Sequence, residues 1–171
     1  PIRFADLGLY SITFSNAIER DLATLQAYSD FRAEAAGLGI RHFLEVFNPN
    51  FDIGVPAGDM GYFVADSIVR VLAGVVAEEQ PLFLKIVYNG RRATEELASY
   101  DPSRLIVGIL GGDKGTTRDT FELISRAEQA GARIALFGRK INLSQSPIEL
   151  VRLMRAVVAR ELTPEEAVNA Y

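Results

Sequence analysis

The sequence predicts an α/β fold in which helices cover a parallel β-sheet. Three observations carry this. Apolar, strand-like runs alternate with amphipathic helical stretches five times, at about 30 residues per unit. The strand runs are apolar at consecutive positions, as expected of strands lying between layers and not facing water. Glycines and polar residues gather where those runs end. Two architectures fit: an open doubly wound sheet, or a (β/α)8 barrel. The barrel takes about 250 residues and would be cut short in a chain of 171.

The elements follow in order. The opening RFADLG reads as the tail of a helix, and a chain that starts at Pro1 with no Met reads as part of a longer protein or one whose natural start has been removed. LYSITFSN, Leu9 to Asn16, is the first strand. Ile18, Leu22, Leu25 and Phe31 recur at helical spacing up to Gly37-Leu38-Gly39, a helix stop. HFLEVFNPN, His42 to Asn50, is the second strand, and a loop rich in Gly and Pro runs from Phe51 to Gly61. Val64, Ile68, Val71, Leu72 and Val75 mark the next helix. PLFLKIVYNG, Pro81 to Gly90, is the third strand, RRATEELASY a short helix, and RLIVGILGG, Arg104 to Gly112, the fourth strand.

Thr116 and Asp119 are spaced as a capping box for a helix whose Phe121, Ile124, Ala127 and Ala130 face inward and which Gly131 ends. ARIALFGRK, Ala132 to Lys140, is the fifth strand. Ser146-Pro147-Ile148-Glu149 places an N-cap, a proline and an acid at the start of a helix that continues through Leu150, Met154 and Val157. Thr163-Pro164-Glu165-Glu166 repeats that start for a last short helix. No low-complexity linker divides the chain, so residues 1–171 are read as one domain.

Composition narrows the function classes. A net charge of −4 excludes the strongly basic footprint of a nucleic-acid binder. The absence of cysteine excludes a disulfide framework, a thiolate zinc site and a cysteine nucleophile, and the single His42 cannot build a histidine-rich metal site. No apolar run reaches the ~18 residues of a membrane helix. The expectation is a cytoplasmic protein without cofactor, nucleic-acid or membrane partner.

In either parallel architecture ligands bind at the C-terminal ends of the strands. The polar residues there are Ser15-Asn16, Glu45 and Asn48, Lys85 and Asn89, Gly111-Gly112-Asp113-Lys114, and Gly138-Arg139-Lys140. Lys85 stands out, because an unpaired ammonium is costly to take out of water. Apolar surroundings favour the neutral amine, which can attack a carbonyl to form a Schiff base. The structural alternative is a lysine paired with a carboxylate such as Glu45, or one reaching back to the strand end. Two glycine-bearing loops on consecutive strands, with Lys114, Arg139 and Lys140, suit a phosphate, since backbone amides and a helix N-terminus favour anions. Glu45 is either a proton-transfer group or the partner of Lys85 or Arg139. His42 begins its strand away from the ligand end and reads as structural. Glu95-Glu96, Glu165-Glu166 and Arg152-Arg155 read as solvated faces and caps.

Three of these stretches together resemble the DhnA-type (archaeal-type) class I fructose-bisphosphate aldolases and related Schiff-base barrels. LKIVYNG, Leu84 to Gly90, is similar to that family's sixth-strand MKIKYTG, with Lys85 in register with the Schiff-base lysine. LGGDKGT, Leu110 to Thr116, is similar to its seventh-strand SGGPKT, and FGRKINL, Phe137 to Leu143, to its eighth-strand VGRNIFQ. The resemblance implies a (β/α)8 (TIM) barrel of which this chain holds approximately strands four to eight. It implies a class I aldolase, a carbon–carbon lyase acting on a phosphorylated sugar or keto compound, or a related acyl transfer. Lys85 would form the imine, with Glu45 and Asn48 as the other catalytic candidates. The phosphate would sit on Gly111, Gly112, Gly138 and Arg139. A homo-oligomer, with no metal or cofactor, is expected.

Two departures stand out. Asn48 occupies the position of the family's tyrosine acid/base, and the acidic residue of its first strand has no counterpart. Half a barrel would also have open sheet edges and an unfilled interior, and would need the missing segment or a partner to fold stably. The competing readings are a non-catalytic phosphosugar-binding barrel and an isomerase or epimerase barrel in which Lys85 acts without imine chemistry.

Overall fold

The computed structural model describes residues 5–111 and 115–171. Its five strands are β1 (Leu7–Thr13), β2 (Arg41–Phe47), β3 (Phe83–Ile86), β4 (Ile106–Leu110) and β5 (Ile134–Leu136). They form one sheet in the order β1-β2-β3-β4-β5, every neighbouring pair parallel. The connecting helices are α1 (Ile18–Gly37), α2 (Met60–Leu72), α3 (Arg91–Tyr100), α4 (Thr117–Gln129), α5 (Arg139–Asn142), α6 (Pro147–Val158) and α7 (Pro164–Ala170), with a 3-10 turn at Ala77–Glu79.

This strand order decides between the two architectures. A doubly wound sheet reverses its order at a switch point; this one runs strictly in sequence. Right-handed crossovers between neighbouring parallel strands then put every helix on the same face. The result is an arc of a barrel, with α2, α3, α4 and α6 packed side by side along its outside.

The two faces of the sheet differ sharply. Toward the helices, Ile12, Leu44, Val46, Leu84, Ile86, Val107 and Ile109 are buried against Tyr28, Ile68, Leu72, Leu97, Phe121, Ile124 and Leu150. Each such side chain contributes about 1.5–3 kcal/mol when fully buried, and this layer holds the fold together. The opposite, inner face is open. One of its rows runs Leu9, Phe43, Phe83, Ile106, with the two phenylalanine rings stacked 4.6 Å apart. Leu9 is 47% exposed and Ile106 42%. The strands are apolar on both faces as expected, yet only the helix face is closed, because the inner face of an arc meets no opposite wall among the described residues.

The local start signals hold at two helices and fail at one. Thr116 and Asp119 form a reciprocal capping box on α4, and Thr163 and Glu166 form another on α7. Ser146 precedes Pro147 as expected, but its side chain caps nothing, and its N–H donates to Tyr171 Oη at 3.0 Å. Helix α2 stops at Leu72, so Val75, expected on it, lies beyond. The helix-tail reading of the opening segment is also corrected: Leu7 and Gly8 already belong to β1, paired with Arg41 and His42.

His42 has the structural role its position suggested. It is buried on the helix side of β2 and shares a 2.9 Å hydrogen bond with Tyr28 Oη. Phe31 meets its ring edge-on. Burial, aided by the nearby Arg32 guanidinium, pushes the imidazole down to about 4. Burial also raises the Tyr28 phenol above its ordinary range.

Candidate active site

Strand geometry aims Lys85 at the open face. Side chains alternate along a strand, and Leu84 and Ile86 on either side of Lys85 are buried toward the helices. Glu45 on β2 is placed the same way, between buried Leu44 and Val46. The parallel register sets Glu45 directly beside Lys85. Lys85 Nζ lies 2.6 Å from Glu45 Oε1, with the lysine side chain 26% exposed and the glutamate side chain 7%. The other carboxylate oxygen, Oε2, accepts a 3.1 Å hydrogen bond from the Ser11 hydroxyl on β1. Lys85 is therefore not an isolated charge in an apolar wall, because a carboxylate from the next strand faces it.

Gly108 sits on the other side of Lys85 in the same row. A Cβ there would fall 2.5 Å from the Leu84 carbonyl oxygen and 3.1 Å from Leu136 Cδ1. Strand β4 approaches β3 too closely for any side chain, so one flank of the lysine carries none.

Above this row the strand ends are tied together by amides. Asn48 Nδ2 donates to Asn89 Oδ1 at 2.7 Å, and Asn89 Nδ2 donates back to Asn48 Oδ1 at 2.9 Å. This reciprocal pair joins the ends of β2 and β3. It occupies both the amide nitrogen and the amide oxygen of Asn48, and an amide does not serve as a proton acid or base at neutral pH. At the end of β1, Ser15 donates from its N–H and its hydroxyl to Asp21 Oδ1 at 2.8 and 2.9 Å. Asn16 Nδ2 donates to the Ile53 carbonyl at 3.0 Å, which pins the loop after β2 to the end of β1.

The two glycine-bearing loops are positioned by packing. Gly111 N–H donates to the Leu136 carbonyl at 3.3 Å, so this amide is engaged within the sheet. The Phe137 ring packs directly on Gly111: a Cβ there would lie 1.9 Å from Phe137 Cδ1. Phe137 is thus the reason that position holds glycine. Gly112, Asp113 and Lys114 lie outside the described residues. Gly138 is exposed and caps α5, and no neighbouring atom crowds the place where its Cβ would be. Arg139 and Lys140 line a cavity of about 390 Å³ with Thr117, Ser144, Gln145 and Tyr171. The Lys140 ammonium donates to the Gly115 carbonyl. The Asp119 carboxyl beside it is held below its usual range, first by the Thr116 N–H and hydroxyl and then by the Lys140 and Arg118 charges. Among the described residues, no three His, Asp or Glu side chains lie close enough to hold a metal ion.

Ser11 and Gly108 are the site residues that sequence reasoning missed. Both were visible as exceptions, one a hydroxyl and one a gap inside apolar strand runs. Only the register shows that they share a row with Lys85.

Comparison with known proteins now adds to this geometry. No family model matches the chain. It is 22% identical over 165 residues to the 3-hydroxy-5-phosphonooxypentane-2,4-dione thiolase of Shigella flexneri serotype 5b (strain 8401), covering 94% of this chain and 64% of that protein. The chain thus spans less than two thirds of this curated relative. An archaeal fructose 1,6-bisphosphate aldolase superposes with a TM-score of 0.70 at 16% identity, over 91% of this chain and 58% of the aldolase. A Schiff-base-forming fructose-1,6-bisphosphate aldolase, solved as reaction intermediates, gives 0.69 at 17% identity, over 91% and 59%. The fold is that of these aldolases. The resemblance read from the sequence holds at this level, and the five-stranded arc matches part of their barrels. No helix of the described residues is long and apolar enough to cross a membrane.

Proposed function

We propose that this chain carries the imine-forming part of a class I aldolase-like lyase acting on a phosphorylated carbonyl compound. The observation that carries the reading is the pairing of Lys85 with Glu45 on the inner face of the sheet, Nζ to Oε1 at 2.6 Å. A lysine nucleophile needs an adjacent base to release its proton before it attacks a carbonyl carbon, and general acid–base help of this kind contributes roughly 10²–10⁴ in rate. Glu45 is within hydrogen-bond reach of that proton. The imine then withdraws electrons from the neighbouring carbon–carbon bond, which allows cleavage or acyl transfer.

The strand ends suit a phosphorylated substrate. Gly111 lies three residues beyond Gly108, the register partner of Lys85, or roughly 10 Å further along the strand at about 3.3 Å per residue. Arg139 and Lys140 open α5, just after the next strand. The substrates printed in the names of the relatives, a phosphonooxypentanedione and fructose bisphosphate, are both phosphorylated carbonyl compounds. Localisation in the cytoplasm and assembly into a homo-oligomer belong to the same proposal.

The test is covalent trapping. The chain is incubated with a phosphorylated ketose, reduced with borohydride and digested, and Lys85 is examined by mass spectrometry. An adduct at Lys85 is expected, and Lys85→Met abolishes it while the fold persists by circular dichroism. Absence of any adduct across several keto substrates would overturn the imine mechanism. The second reading, a phosphosugar-binding barrel without catalysis, is favoured by the Asn48–Asn89 pair in place of an acid/base at that strand end. It predicts thermal stabilisation by phosphosugars with no trapping and no turnover.

A further inference from the structure

One row of the inner face crosses all five strands: Ser11, Glu45, Lys85, Gly108 and Ile134. Glu45 and Lys85 are its only charged members. The carboxylate is held at both oxygens, Oε2 by the Ser11 hydroxyl at 3.1 Å and Oε1 against Lys85 Nζ at 2.6 Å. Glu45 is 5% exposed, so water does not compete freely for either oxygen. A glutamate side chain left to itself samples several rotamers. Here two partners on opposite flanking strands select one.

We propose that Ser11 is the positioning residue of this site: its hydroxyl locks Glu45 in the orientation that keeps Oε1 on the Lys85 nitrogen. This rests on the imine reading above and adds the group that aims the base. The protons balance as follows. The Lys85 ammonium gives one proton to Glu45 Oε1, and the neutral amine adds to the carbonyl carbon as the C=O π bond opens. A proton moves from nitrogen to the new alkoxide, forming the neutral carbinolamine. Glu45 then returns its proton to the carbinolamine hydroxyl, which leaves as water while the nitrogen lone pair closes the C=N bond. The carboxylate is regenerated, and the net change is ammonium plus ketone to iminium plus water. Both transfers use Oε1, so a carboxylate turned away from Lys85 serves neither.

Two substitutions isolate the hydroxyl. Ser11→Thr keeps it, and Ser11→Val removes it at nearly the same shape. Both β-branched residues are favoured in a strand, so folding is preserved. Two readouts are taken on the whole chain. One is the pH profile of Lys85 acetylation by acetic anhydride, which reacts with the neutral amine. The other is borohydride trapping with dihydroxyacetone phosphate as the ketone probe. One neutral-to-charged hydrogen bond corresponds to about a tenfold effect. Ser11→Val is therefore expected to slow trapping about tenfold, and to move the Lys85 acetylation profile to lower pH because a freed carboxylate holds the ammonium less well. Ser11→Thr is expected to match the parent in both. A Ser11→Val chain with the parent's acetylation profile and trapping rate would overturn the proposal. A parent chain that forms no adduct, with a Ser11→Val profile that still moves, would remove the imine reading and leave the hold of Ser11 on Glu45 supported.

Discussion

His42 makes the acid stability of this fold predictable. Its imidazole is 3% exposed and bonded to Tyr28 Oη, and burial, which opposes its charge, pushes it down from the ordinary 6.5 to about 4. A depressed histidine binds its proton more readily in the unfolded chain. Between pH 6.5 and 4 the unfolded state therefore holds more protons, and stability rises with pH across that window. The contribution is complete above pH 6.5, is lost as pH falls toward 4, and changes no further below. A difference of about 2.5 units, at about 1.4 kcal/mol per unit, amounts to about 3.5 kcal/mol. That is a large share of the roughly 5–15 kcal/mol that a domain of this kind possesses. His42→Gln keeps a hydrogen-bonding side chain near Tyr28 but cannot titrate. Urea denaturation at half-unit steps from pH 8 to 4 is expected to show a steep acid decline in the parent and a flatter one in the variant, the gap closing by about 3.5 kcal/mol over the window. Parallel curves for the two chains would refute the reasoning, because the decline would then belong to carboxylates elsewhere.

Two further predictions concern packing and caps. Gly111→Ala puts a Cβ into the Phe137 ring and is expected to destabilise the chain by about 1–3 kcal/mol, read from the urea midpoint; an unchanged midpoint would mean the ring moves aside freely. Thr116→Ala breaks a formed capping box and is expected to lower stability by about 1 kcal/mol, whereas Ser146→Ala, at a cap whose side chain bonds nothing, is expected to stay within about 0.5 kcal/mol. Equal effects at the two caps would contradict the geometry.

The comparison of sequence with structure turns on range. Helices and strands were legible because their signals are local. The helical spacing from Ile18 to Phe31, the Thr116–Asp119 and Thr163–Glu166 boxes, and Pro147 at a helix start each lie within a few residues, and the structure holds all of them. The local signals that failed include the Ser146 side-chain cap: that side chain bonds none of the first amides of α6, while the Ser146 N–H donates to the distant Tyr171 Oη. Lys85 could be singled out from sequence for the same reason, since a charge in an apolar run is a local exception.

The sequence by itself determined the alternation of elements, the helix start signals, the lysine inside the third strand and the two glycine loops, because each depends on residues close along the chain. Only the tertiary structure decided that the strands run in unreversed order as an arc of a barrel. It alone set Ser11, Glu45, Lys85 and Gly108 in one row, joined Asn48 to Asn89, and made Phe137 the reason for Gly111. These pairs are separated by about 23 to 41 positions in sequence. Parallel register between strands joined by long crossovers leaves no short-range trace, since a slip of one residue would turn each of these side chains to the opposite face.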